Sequence, residues 1–180
     1  LIDAPKADKE FLSINGAQGF STFYGYYMLE AMATAGNYQG ALDVIREYWG
    51  AMIDLGATSF WEDFDINWIP NATPIDELVP EGKKDIHGDC GAYCYVGFRH
   101  SLCHGWASGP TSWLSRHILG VEVIEPGCRQ VRITPHLGDL QWVKGTFPTP
   151  YGEIQIYHEK QANGNVISEV KAPKGVSVIK

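Results

Sequence analysis

Ser101-Leu-Cys-His-Gly-Trp-Ala-Ser-Gly-Pro-Thr-Ser-Trp-Leu-Ser-Arg-His-Ile-Leu-Gly120 is the stretch where the chain changes its grammar. Within it, Ser108 is placed to cap a helix. Pro110 falls in the first turn, where its missing N–H costs little, and Gly120 stops the run. Trp113, Leu114, His117 and Ile118 recur at helical spacing, which predicts a helix from about Ser108 to Leu119. Before this point the apolar residues follow a helical period or none. After Val121 they alternate. An α+β chain is predicted, with its boundary near 120–127.

Upstream, Phe20, Phe23, Tyr24, Tyr27, Met28, Ala31 and Ala35 recur at three and four residues and predict one helical face. Ser21 or Thr22 is suited to cap its start, and Gly36-Asn37 to end it. Ala41, Ile45, Tyr48, Trp49 and Met52 line a second helix, broadened by Leu42, Val44 and Ile53. The pair reads as an αα-hairpin. Its wide apolar faces imply a helical assembly larger than this chain supplies. Residues 1–15 read as an extended lead-in. Residues 57–100 hold Pro70, Pro74, Pro80 and several glycines with no sustained period. Trp61, Phe64, Trp68, Tyr93, Tyr95 and Phe98 argue against disorder there, so a functional loop is predicted.

Downstream, strands are predicted around Val131-Arg132-Ile133, Leu140–Val143, Glu153–Tyr157 and Asn165–Ile167. Asn163-Gly164 is a two-residue hairpin signal between the last two.

Composition narrows the function classes. The chain has 180 residues, a net charge of −7 and six Trp and nine Tyr among its aromatics. Its dispersed basic residues argue against a nucleic-acid partner, which needs a clustered basic face. No apolar run approaches the roughly 20 residues of a membrane span. Four cysteines, Cys90, Cys94, Cys103 and Cys128, are too few and too uneven for a disulfide scaffold. The opening Leu1-Ile2-Asp3 reads as part of a longer protein.

The chemistry-bearing residues cluster on both sides of the irregular segment. Glu62 directly follows Trp61, with Asp63 and Asp65 beside it. His104 precedes Gly105-Trp106. An acid and an imidazole framed by indoles suit a sugar site, where ring faces stack on C–H surfaces and the acid handles a proton. On spacing alone the commoner fate of the same residues is a solvated acid at a helix exit and a core or capping histidine. His87, Cys90, Cys94, His100, Cys103 and His104 invite a zinc reading, but the adjacent return ligands Cys103 and His104 chelate poorly together. Asp63-Phe-Asp65-Ile-Asn67 starts like a calcium loop, yet Trp68 stands where the turn requires Gly. Gly105-Trp-Ala-Ser-Gly109 is not a nucleophile elbow.

Taken in order, these motifs resemble glycoside hydrolase family 78, the α-L-rhamnosidases. Ser101–Gly120 looks like the family's last barrel helix, and Gly56-Ala-Thr-Ser-Phe-Trp-Glu62 is similar to its Thr-Thr-x-Trp-Glu segment. Pro126-Gly127, Ile133-Thr-Pro135 and Phe147-Pro-Thr-Pro-Tyr-Gly152 resemble its return into a C-terminal β-domain. The resemblance implies an (α/α)6 barrel flanked by β-sandwich domains. Residues 1–120 would be the C-terminal portion of the catalytic barrel and residues 121–180 the C-terminal antiparallel β-sandwich domain. It further implies an inverting hydrolase of terminal α-L-rhamnosides, secreted or periplasmic, using water and no cofactor. Glu62 matches the family's general base and His104 a sugar-contacting histidine, with Trp61 and Trp106 as walls. The general acid would lie on earlier helices, so the implied partners are a rhamnose-containing glycan and the N-terminal remainder of the enzyme. The segment 66–100 is longer than the family pattern. Two other readings carry different consequences: another (α/α)6 carbohydrate-active enzyme, or a non-catalytic carbohydrate-binding module in residues 125–180.

Overall fold

A computed structural model describes residues 2–86, 89–90 and 100–179. His87, Cys94, Tyr93, Tyr95 and Phe98 lie outside the described residues. The chain forms two compact units, Leu1–Pro110 and Thr111–Lys180.

The first unit is helical. Residues expected to be extended form helix α1, Ala4–Ala7, continued by a π-helical turn at Asp8–Leu12. The Asp3 carboxylate accepts from Lys6 N at 3.1 Å, and Pro5 occupies the first turn, so local capping overrides the polar composition. Asp8 is buried and accepts from Ser13 Oγ and Asn37 Nδ2, which ties the lead-in to the turn after α2.

Helix α2 spans Tyr24–Thr34, with the Ser21 hydroxyl accepting from Tyr24 N at its start. Gly36 turns with φ +79° at its end, and Asn37 N returns to the Met32 carbonyl. The Asn37 side chain then caps α3, Tyr38–Val44, by accepting from Gly40 N. A π-helical turn at Ile45–Trp49 carries α3 into α4, Gly50–Asp54. The second helical stripe lies mostly as read: Ala41, Leu42, Val44, Tyr48, Trp49 and Met52 are buried and Ile45 partly so, whereas Ile53 faces outward.

The first stripe is rotated by about one residue. Gly25, Leu29, Met32 and Ala33 face the core, while Phe23, Tyr24 and Tyr27 are exposed. Gly25 explains the rotation. A Cβ there would stand 2.7 Å from the Trp49 ring, so the bare backbone admits the indole and sets which face turns inward. Beyond α4 the chain is irregular apart from a 3₁₀ turn, Ile66–Asn71, and the short parallel pair β1, Ala72–Thr73, with β2, Lys84–Asp85.

The unit boundary falls within helix α5, Gly109–Trp113, which a π-helical turn extends through Leu114–Ile118. Beyond Gly120 the second unit is built of strands, with one 3₁₀ turn at Pro126–Cys128. β3 (Val121–Val123) pairs antiparallel with β4 (Gln130–Ile133), and β4 pairs parallel with β8 (Ser177–Ile179). β5 (Trp142–Thr149), β6 (Gly152–Lys160) and β7 (Val166–Lys171) form an antiparallel sheet. The Asn163-Gly164 hairpin exists, but its loop is wider than two residues, because Gly164 N bonds to Gln161 O and Gln161 N to Asn165 O.

One apolar cluster joins the two sheets: Leu119, Val121, Val131, Ile133, Ile154 and Ile156. Buried His158 closes it, with Nε2 donating to the Leu119 carbonyl at 3.1 Å and Nδ1 2.7 Å from Ser168 Oγ. Gly120 marks the entry to the strands. Its φ is +77°, and a Cβ would lie 2.4 Å from the Thr134 carbonyl carbon.

Candidate functional site

Two irregular stretches of the helical unit run side by side and bring the expected site residues together. Glu62 N donates to Ser101 O at 2.8 Å, and His104 N donates to Phe60 O at 2.7 Å. Ser59 Oγ donates to Leu102 O in the same seam. This short ladder sets Glu62 beside His104 although 41 intervening residues separate them in sequence.

Glu62 is fixed at its backbone and at its carboxylate. Its carbonyl accepts from the Thr22 hydroxyl and from Trp106 Nε1, the latter at 2.9 Å. Its Oε2 accepts from Ser101 N at 2.7 Å. The Glu62 side chain retains 14% exposure and that of His104 32%, and Nδ1 of His104 is 3.7 Å from Oε2 of Glu62. That separation gives an ion pair when the imidazole is protonated and no direct hydrogen bond otherwise. The His104 ring packs on Trp106 with centroids 4.2 Å apart.

The two tryptophans have different surroundings. Trp106 keeps 42% of its surface exposed, next to the Phe23 ring at 5.6 Å. Trp61 is 0% exposed, packs edge-on against Phe64, and its Nε1 has no hydrogen-bond partner among the described residues. The wall expected from Trp61 is therefore internal packing. The open aromatic surface beside Glu62 comes from Trp106 and Phe23.

Nearby acids have local duties. Asp65 Oδ1 accepts from Asn67 N and Nδ2, both at 2.8 Å, and so starts the 3₁₀ turn. The Tyr48 hydroxyl donates to the Phe64 carbonyl. Its pKa is pushed far above the ordinary phenol value by burial first, then by the charges of Asp63 and Asp65. Tyr48 thus remains a neutral donor that holds the loop. Thr22, Ser59 and Ser101 were invisible in the sequence as site residues, because nothing in their spacing reveals a partner some 40 positions away.

Among the described residues no group of three or more His, Cys, Asp or Glu is arranged to hold a metal ion. His87 and Cys94 of the zinc reading lie outside them. A cavity of about 220 Å³ in this unit is lined by Trp49, Met52, Ile53 and residues 57–60, and Glu62 is not part of its lining.

Residues 120–179 match the family model described as the bacterial alpha-L-rhamnosidase C-terminal domain. That match covers the C-terminal third of the chain. Over 96% of its length the chain is also similar to the GH78 family rhamnosidase of Bacillus sp. GL1, at 27% identity and a TM-score of 0.71, spanning 16% of that protein. The α-L-rhamnosidase of Aspergillus terreus aligns over 97% of the chain and 19% of its own, at 20% identity and a TM-score of 0.71. The Streptomyces avermitilis α-L-rhamnosidase, solved with L-rhamnose, aligns over 86% of the chain and 13% of its own, at 21% identity and 0.60. At those identities the latter two show a shared fold. No curated protein matches the chain. The rhamnosidase resemblance read from Gly56–Glu62, Ser101–Gly120 and the later Pro/Gly motifs is borne out, and the chain corresponds to a small part of each of these enzymes.

Proposed function

We propose that this chain is the C-terminal part of an inverting glycoside hydrolase that releases terminal α-L-rhamnose. Residues 1–120 contribute the last helices of an (α/α)6 barrel, and residues 121–180 form the β-domain that follows it. Secretion or export to a periplasm fits a glycan substrate.

In this reading Glu62 is the general base. Its carboxylate, oriented by Ser101 N–H, takes a proton from the attacking water as the anomeric carbon is inverted. His104 and Trp106 contact the sugar, and Trp61 supports the loop from below. The general acid comes from sequence outside this chain, since an inverting pair needs a second carboxyl roughly 6.5–9.5 Å away. No cofactor is required for this chemistry. The observation that carries the proposal is the four-point fixation of Glu62, through its N–H, its twice-bonded carbonyl and Oε2, next to His104 in a chain similar to rhamnosidases.

Glu62→Gln in the full-length enzyme tests it. Turnover of p-nitrophenyl α-L-rhamnoside should fall by about 10²–10⁴-fold in kcat with KM little changed. Retention of more than a tenth of the turnover would remove Glu62 from the role. The 180-residue chain alone should release no p-nitrophenol.

A further inference from the structure

The outward face of the β5–β6–β7 sheet carries a concave surface of about 820 Å³, in the other unit from Glu62. Strand register places its side chains in rows. Lys144, Tyr157 and Glu169 lie across the three strands in one row, and Thr146, Gln155 and Lys171 in the next. Trp142 stands one step further along β5, opposite Glu159.

Three observations make this face unlike an ordinary solvated sheet. Trp142 is 60% exposed and has no ring partner among the described residues, so the largest apolar side chain of the strands is spent on solvent. Lys144 and Lys171 have no ion-pair or hydrogen-bond partner among the described residues. The lining holds these two lysines with Glu169, while Glu159 stands opposite Trp142 at the edge of the face and is engaged by the Tyr157 hydroxyl. Aromatic faces flanked by hydrogen-bonding side chains bind pyranose rings through C–H stacking and hydroxyl contacts. Unpaired lysine ammonium groups add attraction for a carboxylate or sulfate. Covering the same face with protein would bury both ammonium groups and require two acids to meet them.

We propose that this sheet face binds an anionic saccharide, with a sugar ring on Trp142 and Tyr157 and its acid group reached by Lys144 and Lys171. Tyr157 is already oriented by donating its hydroxyl to Glu159 Oε2 at 3.1 Å, which presents the ring edge-fixed to the groove.

Isothermal titration of the 180-residue chain, repeated on the full-length enzyme, decides the matter. The probes are trigalacturonic acid, its fully methyl-esterified form and a sulfated trisaccharide. Saturable binding of at least one acidic probe is expected, weakening as salt is raised. Trp142→Ala and the double substitution Lys144→Gln/Lys171→Gln should each weaken it at least tenfold. Trp142→Ala should leave turnover of p-nitrophenyl α-L-rhamnoside by the full-length enzyme unchanged, which separates this site from the one at Glu62. Absence of saturable binding at millimolar concentration, equal binding of the methyl ester, or binding indifferent to both variants would overturn the proposal. These positions are surface ones, and circular dichroism of each variant confirms that any loss is not unfolding.

Discussion

In the β-rich unit, Val121, Val131, Ile133, Ile154 and Ile156 meet in one cluster, whereas in the helical unit Tyr24 and Tyr27 stand 65% and 57% exposed on the first turns of α2. Ile53 on α4 is exposed as well. The strands bury their alternating residues against one another and finish a core within 70 residues. The helices bury one stripe each and leave a second, aromatic-rich stripe open. A wide helical face left open is the signature of an element built for two neighbours. The contrast agrees with the proposal that the first unit is a slice of a barrel and the second a domain in its own right.

The largest effect should come from breaking the self-contained unit at its entry. Gly120→Ala puts a methyl 2.4–2.6 Å from the backbone of Thr134 and Pro135 and imposes a side chain at φ +77°. Neither clash can be relieved by a side-chain rotation. A loss of about 3 kcal/mol or more is expected, read as a lower urea midpoint. A loss below about 1 kcal/mol would show that the strands tolerate a shift at this joint, and would weaken the claim of a closed unit.

Tyr27→Ser probes the open face. In the 180-residue chain it should change stability by no more than about 0.5 kcal/mol, as exposed positions do. In the full-length enzyme, where the proposed barrel covers α2, the same substitution should cost about 2 kcal/mol or more. Equal small effects in both proteins would mean that the aromatic face stays in solvent and that the barrel assignment for residues 1–120 is wrong.

What the sequence disclosed follows the range of the interactions. Local signals were legible: the Gly36-Asn37 stop, the apolar stripe of α3 and α4, Gly120 before the strands, and the alternation of Ile154 and Ile156. The α2 stripe lies about one residue away from the spacing-derived face, because a three-and-four recurrence fits two neighbouring faces of a helix this rich in apolar residues. Burial there was decided by Gly25, whose lack of a side chain admits Trp49 from another helix. The lead-in was misread because Asp3 and Asp8 look like solvated acids until their capping partners are known. At the site, motif order pointed to Glu62 and His104, but the groups that hold them do not announce themselves. Thr22, Ser59 and Ser101 act through backbone carbonyls and N–H groups some 40 residues distant. Trp61 shows the converse, since it stands beside the candidate acid in sequence yet its ring is fully buried against Phe64.

The smallest predicted effect concerns pH and again separates the units. His136, in the β-rich unit, has its pKa lowered from 6.5, first by burial and then by the nearby charge of His117. A histidine whose folded pKa is depressed takes up its proton more readily in the unfolded chain. Stability contributed by keeping it neutral is therefore complete above about pH 6.5 and falls as pH drops below that value toward the folded pKa. His136 N is held by the His117 carbonyl at 3.0 Å, so the backbone contact survives a side-chain change. His136→Gln should leave the unfolding midpoint at pH 7.5 nearly unaltered and reduce the decline between pH 6.5 and 5.5. The group is only partly buried, so solvent screening keeps the difference small. An unchanged decline would assign the acid sensitivity of this unit to groups other than His136.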